Sequence, residues 1–312
     1  MPIRSEGEYP SPAIDQPGGP KRRAYVFRRR NFLIRDNFSI SIAVAWCVLA
    51  VILAIVGPLV APYDYRQIDL ADRLVAPADM ATILNSMPRN VHILGTDELG
   101  RDVMSRLLYS ISASIGIAVF ASAMSTAIGI TLGIASARFG RLVDQIISLL
   151  VDVQATLPFM ILSLGVLTLT GNRPWLFAVL LGFYGWERVA RLTRGLALAE
   201  SGRPYVAALR NFGASNFRIY WRHVLGNISG PLLVSITLIL PEVLLLEATL
   251  SFLGLGVQPP ATSLGNMIGY GREYLQEAPW ITLTPSAFIV FTTIAVSIVG
   301  DWMRDRLDPD AH

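Results

Sequence analysis

Residues that could do chemistry are few in this chain and lie far apart. Its 312 residues include three histidines (His92, His223 and His312), one cysteine (Cys47) and one lysine (Lys21). The histidines fall in three separate segments, so no His/Cys metal site of ordinary spacing can form. A lone cysteine excludes an intrachain disulfide, and Cys47, inside an apolar run, reads as a small packing residue. A phosphate-binding loop of the G-x-x-x-x-G-K-[ST] type needs a lysine in that pattern, and Lys21 has none around it. No G-x-S-x-G nucleophile elbow occurs. No catalytic residue, metal or cofactor is therefore expected. Two carboxylates remain, both in an expensive place. Glu242 and Glu247 lie inside a long apolar run, where an ionisable group defaults to a functional reading. Three roles are open: contact with a charged solute, proton coupling, or a hydrogen-bonded carboxyl that holds helices together. Glu242 follows Pro241, and a proline kink leaves a carbonyl free nearby; it is the better cavity candidate. Asp152, shortly before Pro158, suits a structural ion pair.

The elements that would position these groups are membrane helices. The chain is 53% hydrophobic and 16% charged, against roughly 25% charged in soluble domains. A span needs about 20 apolar residues. Six stretches qualify or nearly qualify: 40–61, 107–137, 153–171, 175–186, 228–255 and 281–300. The fourth is short, and its pattern is expected to continue as helix into 187–194. Basic residues orient the set. With the N-terminus inside, 19 of the 26 Lys/Arg fall on cytoplasmic segments, so both termini are expected in the cytoplasm. No cleavable signal peptide is visible, since the first apolar stretch begins only near Ile40. The run KRRAYVFRRRNF (Lys21 to Phe32) could be a nucleic-acid patch. Its place just before a span favours a juxtamembrane anchor at anionic headgroups, and no nucleic-acid partner is expected. The residues before Lys21, rich in Pro, Gly, Ser and acids, are expected to be disordered.

Between the fourth and fifth stretches lies a polar interlude, RPYVAALRNFGASNFRIYWRHVLGNISGPLLV, from Arg203 to Val234. Pro204 suits a first helical turn. Tyr205, Ala208, Leu209 and Phe212 recur at helical spacing on one face. Gly213 stands where a helix wants a left-handed residue at its end, and Ser215 can cap a second helix. Phe217, Tyr220, Trp221, Val224 and Leu225 repeat the apolar spacing, with Arg218 and Arg222 on another face. A helix–turn–helix is predicted. Earlier, Gly129 and Gly133 form a G-x-x-x-G in a span rich in small residues, the pattern of close helix packing; whether its partner helix is in this chain or another is open. The loop Thr96–Asp102 is dense in charge. It reads as a salt-bridged turn or as a contact for a partner protein.

The interlude resembles the cytoplasmic coupling loop of ABC importer permeases, Y-V-E-A-A-R-x-L-G-A-S followed by R-H-x-L-P-N. Three further segments extend the likeness to the C-type subunit of the dipeptide/oligopeptide permeases. They are HILGTDELGRDVMSRLL (His92 to Leu108), EATLSFLGLGVQPPATSLGNM (Glu247 to Met267), and Pro279-Trp280 with GDWMRDRLDP (Gly300 to Pro309). Together they cover the chain from about Phe32 to Pro309.

The resemblance implies an all-α integral membrane protein of the type I importer permease class, with about six transmembrane helices and a cytoplasmic helix–turn–helix. Residues 1–37 would be a basic cytoplasmic tail, 38–61 the first transmembrane helix, and 62–106 an extracytoplasmic loop. Residues 107–303 would be the permease core, with the coupling loop at about 196–227, and 304–312 a cytoplasmic end. The chain would form half of a translocation path at a prokaryotic inner membrane. Its partners would be a second homologous permease, two ATP-binding subunits that hydrolyse ATP, an extracytoplasmic solute-binding protein and the lipid bilayer. Coupling would fall to Tyr205, Val206, Ala207, Ala208, Arg210, Phe212, Gly213, Ala214, Ser215, Arg222 and His223. The extracytoplasmic motif would be Gly95, Thr96, Asp97, Gly100, Arg101 and Asp102. Glu247 belongs to the family's E-x-x-L-S-F-L-G-L-G pattern, which favours a structural role for it. Related systems carry peptides, nickel chelates or glycosides. Two departures stand out. Ala207-Ala208-Leu209 replaces Glu-Ala-Ala, which removes a charge that could meet the ATPase. Leu225-Gly226-Asn227 replaces Leu-Pro-Asn, so the second helix is expected to end through glycine. An ion-coupled secondary transporter working alone is the rival reading, and a scaffold without transport is a third.

Overall fold

The computed structural model describes residues 22–78, 91–171 and 173–307, with side chains from residue 38 onward. The tail up to Lys21 and the final residues 308–312 lie outside the described residues. The chain divides into two compact units, residues 1–39 and 40–312. The second holds all six apolar stretches and every candidate site residue.

Among the described residues the regular structure is helical. Helix α1 (Arg22–Val60) carries the first apolar stretch, and α2 (Val103–Phe139) the second. A break at Gly140 leads to α3 (Arg141–Thr156), followed by α4 (Phe159–Thr170), α5 (Pro174–Gly182) and α6 (Trp186–Ser201). The short α7 (Pro204–Asn211) precedes the long α8 (Asn216–Phe252). Helices α9 (Leu264–Gly271) and α10 (Trp280–Leu307) complete the chain.

Among the described residues, four segments are long and apolar enough to cross a membrane: Phe38–Val60 of α1, α2, α8 and α10. Two of the six expected stretches are not single unbroken helices. Helices α3 and α4 qualify only together, as a broken span or a re-entrant loop bent by 87°. Pro158 lacks an amide hydrogen and disfavours helical backbone at the residue before it, and Leu157 is extended at φ −85°, ψ 125°. The fourth stretch does not run on as helix into 187–194. It is α5, then a turn at 183–185 with Gly185 at φ 80°, then α6. At 1.5 Å per residue α5 is about 14 Å long, half of a bilayer core.

The core sits where α2, α4, α5, α6 and α8 meet, around Ala121, Leu167, Phe177, Leu181, Val189 and Leu244. A second cluster, with Ile134, Ala197, Val206, Ile219 and Val224, joins α2 and α6 to the helix–turn–helix. Outward faces stay apolar: Ile55, Leu149 and Ile161 are each more than half exposed, as suits surfaces solvated by lipid. The Gly129/Gly133 pair packs within the chain. A Cβ on Gly129 would stand 2.5 Å from Val189 Cβ, and one on Gly133 would stand 2.6 Å from Thr193 Cβ. Only glycine lets α2 lie this close to α6, and this contact fixes the helix that carries Arg188, Arg191 and Arg194.

Candidate functional site

The helix–turn–helix forms, with a geometry that departs from the apolar spacing. Pro204 starts α7, and Gly213 takes φ 76° beyond its end. The Gly213 amide donates to Arg210 O at 3.0 Å and the Ala214 amide to Leu209 O at 3.0 Å, a glycine-closed helix end. Ser215 Oγ then accepts from the Arg218 amide at 3.3 Å and caps α8. Val206 is buried, with Tyr205, Leu209 and Ala214 packed beside it. Ala207, Ala208, Arg210, Arg222 and Phe212 are exposed, Phe212 at 89%, and His223 is half-buried. The predicted Tyr205–Phe212 face is thus split: its inward part is Tyr205 and Leu209, and Phe212 projects from the tip. On the second arm Ile219, Tyr220 and Val224 are buried, whereas Phe217 and Trp221 pair with each other at 6.1 Å on the surface. Residues Ile219–Val224 wind as π-helix, which slips the face and explains the mismatch with a 3.6-residue spacing. The second arm does not end at Gly226. It continues unbroken into the fifth apolar run, so the tip is joined directly to the long helix α8.

A residue missed by sequence reasoning holds the base of this element. Glu200, at the end of α6, is 5% exposed. Its Oε1 accepts from Tyr205 Oη at 2.9 Å and from Asn227 Nδ2 at 2.9 Å, and its Oε2 pairs with Arg203 Nε at 2.9 Å. One carboxylate therefore ties α6, α7 and α8 together. Burial and the Glu200 carboxylate push the Tyr205 phenol above its ordinary pKa. Glu200 falls inside the expected 196–227 loop but outside its quoted motif, and a lone glutamate four residues before α7 gives no periodic signal.

Helix α6 also carries three arginines three residues apart, each paired with an acid on another helix. Arg188 Nη1 donates to Glu242 Oε1 at 2.9 Å, and its other terminal nitrogen meets Glu242 Oε2. Tyr184 Oη donates to Glu242 Oε2 at 3.2 Å. Arg191 pairs with Asp152 at 3.3 Å, and Arg194 Nη2 donates to Asp144 Oδ2 at 2.7 Å. The first two pairs are largely open, with side-chain exposures of 49% and 38%, then 59% and 69%. In the sequence these arginines count only as orienting charge; their partners lie about 40 to 55 residues away and cannot be seen in a linear pattern.

Glu247 is placed differently. It is fully buried, and Ser251 Oγ donates to its Oε1 at 2.7 Å. Ser251 Oγ in turn accepts from the Val257 amide at 3.2 Å, and Asn266 Nδ2 donates to Val257 O at 3.0 Å. This network closes the 254–267 turn over α8 and keeps Glu247 from any surface.

The 92–108 segment is a knot of paired charge. Thr96 and Asp102 bridge as in an antiparallel pair, with Gly95 and Gly100 at φ 75° and 73°. Buried Asp97 accepts from the Leu99 amide at 2.8 Å, the Arg101 amide at 2.9 Å and Arg101 Nε at 2.7 Å, and it also meets Arg106. Asp102 caps α2 by accepting from the Ser105 amide at 2.7 Å and meets His92 Nδ1 at 2.9 Å. Trp280 Nε1 donates to Thr96 O at 3.1 Å, tying the knot to α10.

Comparison with known proteins places this arrangement. Residues 129–312 match the family described as binding-protein-dependent transport system inner membrane component. A Brucella suis protein bearing the name of a peptide permease is 38% identical over 257 residues, 82% of each chain. The dipeptide transport system permease protein of Haemophilus influenzae is 29% identical over 278 residues, 89% of this chain and 92% of that one. The fold is shared with a chain of the inward-facing MetNI methionine ABC transporter at 19% identity, TM-score 0.54, covering 66% of this chain and 97% of that one. The rival reading of a transporter acting alone falls away, and the chain belongs to the inner-membrane permease components of binding-protein-dependent ABC transporters.

Proposed function

We propose that this permease forms half of a pathway for short peptides and takes its driving motion from an ATPase through the Arg203–Leu225 element. The observation that carries this reading is the shape of that element. Its tip exposes Phe212 almost entirely, flanked by Arg210 and, across the turn, Arg218. Its base is held by one carboxylate, Glu200, to both α7 and α8. A cytoplasmic ATPase gripping the tip would move two pathway helices, α6 and α8, as one body, the rigid-body switching that alternating access requires. A second permease would supply the other half of the path, two ATP-binding subunits the energy and an extracytoplasmic protein the solute. The peptide assignment follows from the names borne by the Brucella and Haemophilus relatives.

The chain purified alone should neither bind nor hydrolyse ATP. Co-purified with its partners, it should sit in a complex whose ATPase rises with peptide-loaded binding protein. Reporter fusions after Arg203 should read inside and fusions after Gly256 outside. An inside signal from 258–278, or turnover by the isolated chain, would sink this reading.

A further inference from the structure

The seam between α6 and α8 combines features that no packing need explains. Glu242 lies at the centre of the 228–255 apolar run, about ten residues before the end of α8. At 1.5 Å per residue that is about 15 Å, the half-thickness of a bilayer core. The Arg188–Glu242 pair is therefore at mid-membrane depth, yet both side chains are more than a third exposed. A charge at the bilayer centre costs about 3 kcal/mol or more against lipid. This face must meet water or another polar surface.

The same seam opens one helical turn away into a groove of about 390 Å³. Its wall includes Leu192, four residues on from Arg188, and Leu238, four residues before Glu242. The antiparallel helices thus place the ion pair and the groove in line. Pro231, Val234 and Ser235 continue the wall, and Arg304 of α10 stands with them. From Glu242 to Pro231 the seam runs about 16 Å, the length of an extended peptide of about four to five residues.

We infer that this seam is the solute-contacting wall of the permease. Its occupant is a short zwitterionic peptide: Glu242 faces its ammonium end, the groove takes its apolar side chains, and Arg304 faces its carboxylate. Arg188 and Tyr184 hold Glu242 in place. The peptide's ammonium then competes with Arg188 for the carboxylate. This deepens the proposed function and rests on it for the identity of the occupant.

The test uses the complete transporter in inside-out vesicles, with Cys47→Ser in this chain and Leu238→Cys added. A membrane-impermeant maleimide should label Leu238→Cys and not Ile55→Cys, on the exposed apolar face of α1. Tetraalanine should slow labelling at least fivefold. N-acetyl-tetraalanine should protect less, and Glu242→Gln should abolish the difference between the two. In uptake assays Glu242→Gln should lower tetraalanine transport at least tenfold, while ATPase stimulation by loaded binding protein persists. An unlabelled Leu238→Cys would show that the seam is covered, and would overturn the site. Labelling without protection, in a transporter that does import tetraalanine, would overturn the site and leave the peptide reading standing. Failure of the wild-type complex to import tetraalanine or other short peptides would overturn the peptide reading and the occupant named here; labelling would still decide whether the seam faces the pathway.

Discussion

Arginine–carboxylate pairs occur in two regions of this molecule and differ in how far each is sequestered. In the 92–108 knot Arg106 is 2% exposed and Asp97 is fully buried. The Asp97 carboxylate bonds to Leu99, Arg101 and Arg106, all within the segment, and the charges are spent on shape. On α6 the same chemistry is open: Arg188, Arg191 and their acids keep 38% to 69% of their surface. Sequestered pairs fix geometry because losing one partner strands a charge. Open pairs can exchange partners at little cost, which a pathway surface or a moving interface needs. Exposure, more than the presence of a salt bridge, separates the two roles.

The largest expected effect breaks the closed set. Asp97→Ala leaves Arg106 charged, buried and without its main partner, a loss of about 3–5 kcal/mol. The subunit should fail to accumulate or should melt far below wild type in detergent. A second, smaller break tests the packing that positions the open set. Gly133→Ala drives a Cβ to 2.7 Å from the Ala190 carbonyl oxygen as well as onto Thr193, and overpacking of this kind costs about 1–3 kcal/mol. Gly195, on the same α6, meets nothing within 4 Å. Gly195→Ala should be neutral or slightly stabilising, since glycine is about 0.5–1 kcal/mol worse than alanine inside a helix. Equal melting temperatures for the two variants would refute the α2–α6 seam.

Much of this is legible in the sequence, for identifiable reasons. Lipid demands long apolar runs, so α1, α2, α8 and α10 stand out. Local caps such as Gly213 and Ser215 declare themselves because their partners are within five residues. The errors come where a break or a long-range contact decides. Pro158 bends one expected span through 87°. The turn at 183–185 splits another, and π-winding at Ile219–Val224 turns Phe217 and Trp221 outward. Glu200, Arg188 and Asp144 gain meaning only from partners on other helices. Glu242 and Glu247, five residues apart in the same run, look alike in the sequence; burial of one and exposure of the other distinguishes them.

A third prediction concerns the tip. Gly213 adopts φ 76° with open space around it, so strain alone penalises a substitution. Gly213→Val should cost about 1 kcal/mol or more and misdirect the second arm. The subunit should still insert but show weakened ATPase docking or uncoupled hydrolysis. Phe212→Asp should act alike through the lost apolar tip, with binding of solute by the extracytoplasmic protein intact. Wild-type uptake in Gly213→Val at normal expression would reduce Arg203–Leu225 to an ordinary loop.

The smallest expected effect is the sharpest check on the contrast between closed and open pairs. Arg191 and Asp152 form the most exposed of the α6 pairs, at 59% and 69% and a separation of 3.3 Å. Pairs this open contribute about 0–1 kcal/mol, so Arg191→Ala should leave the melting temperature of the isolated subunit nearly unchanged. Asp152→Ala should match it, and the double variant should show little coupling. The informative measurement is the same set of variants in the assembled transporter. If the pair faces the pathway, stability stays flat there as well, and only transport responds. If instead the assembled complex loses stability as steeply as Asp97→Ala does, the partner permease covers this part of α6. The open set would then be an interface, and the contrast between the two regions would hold for the isolated chain alone.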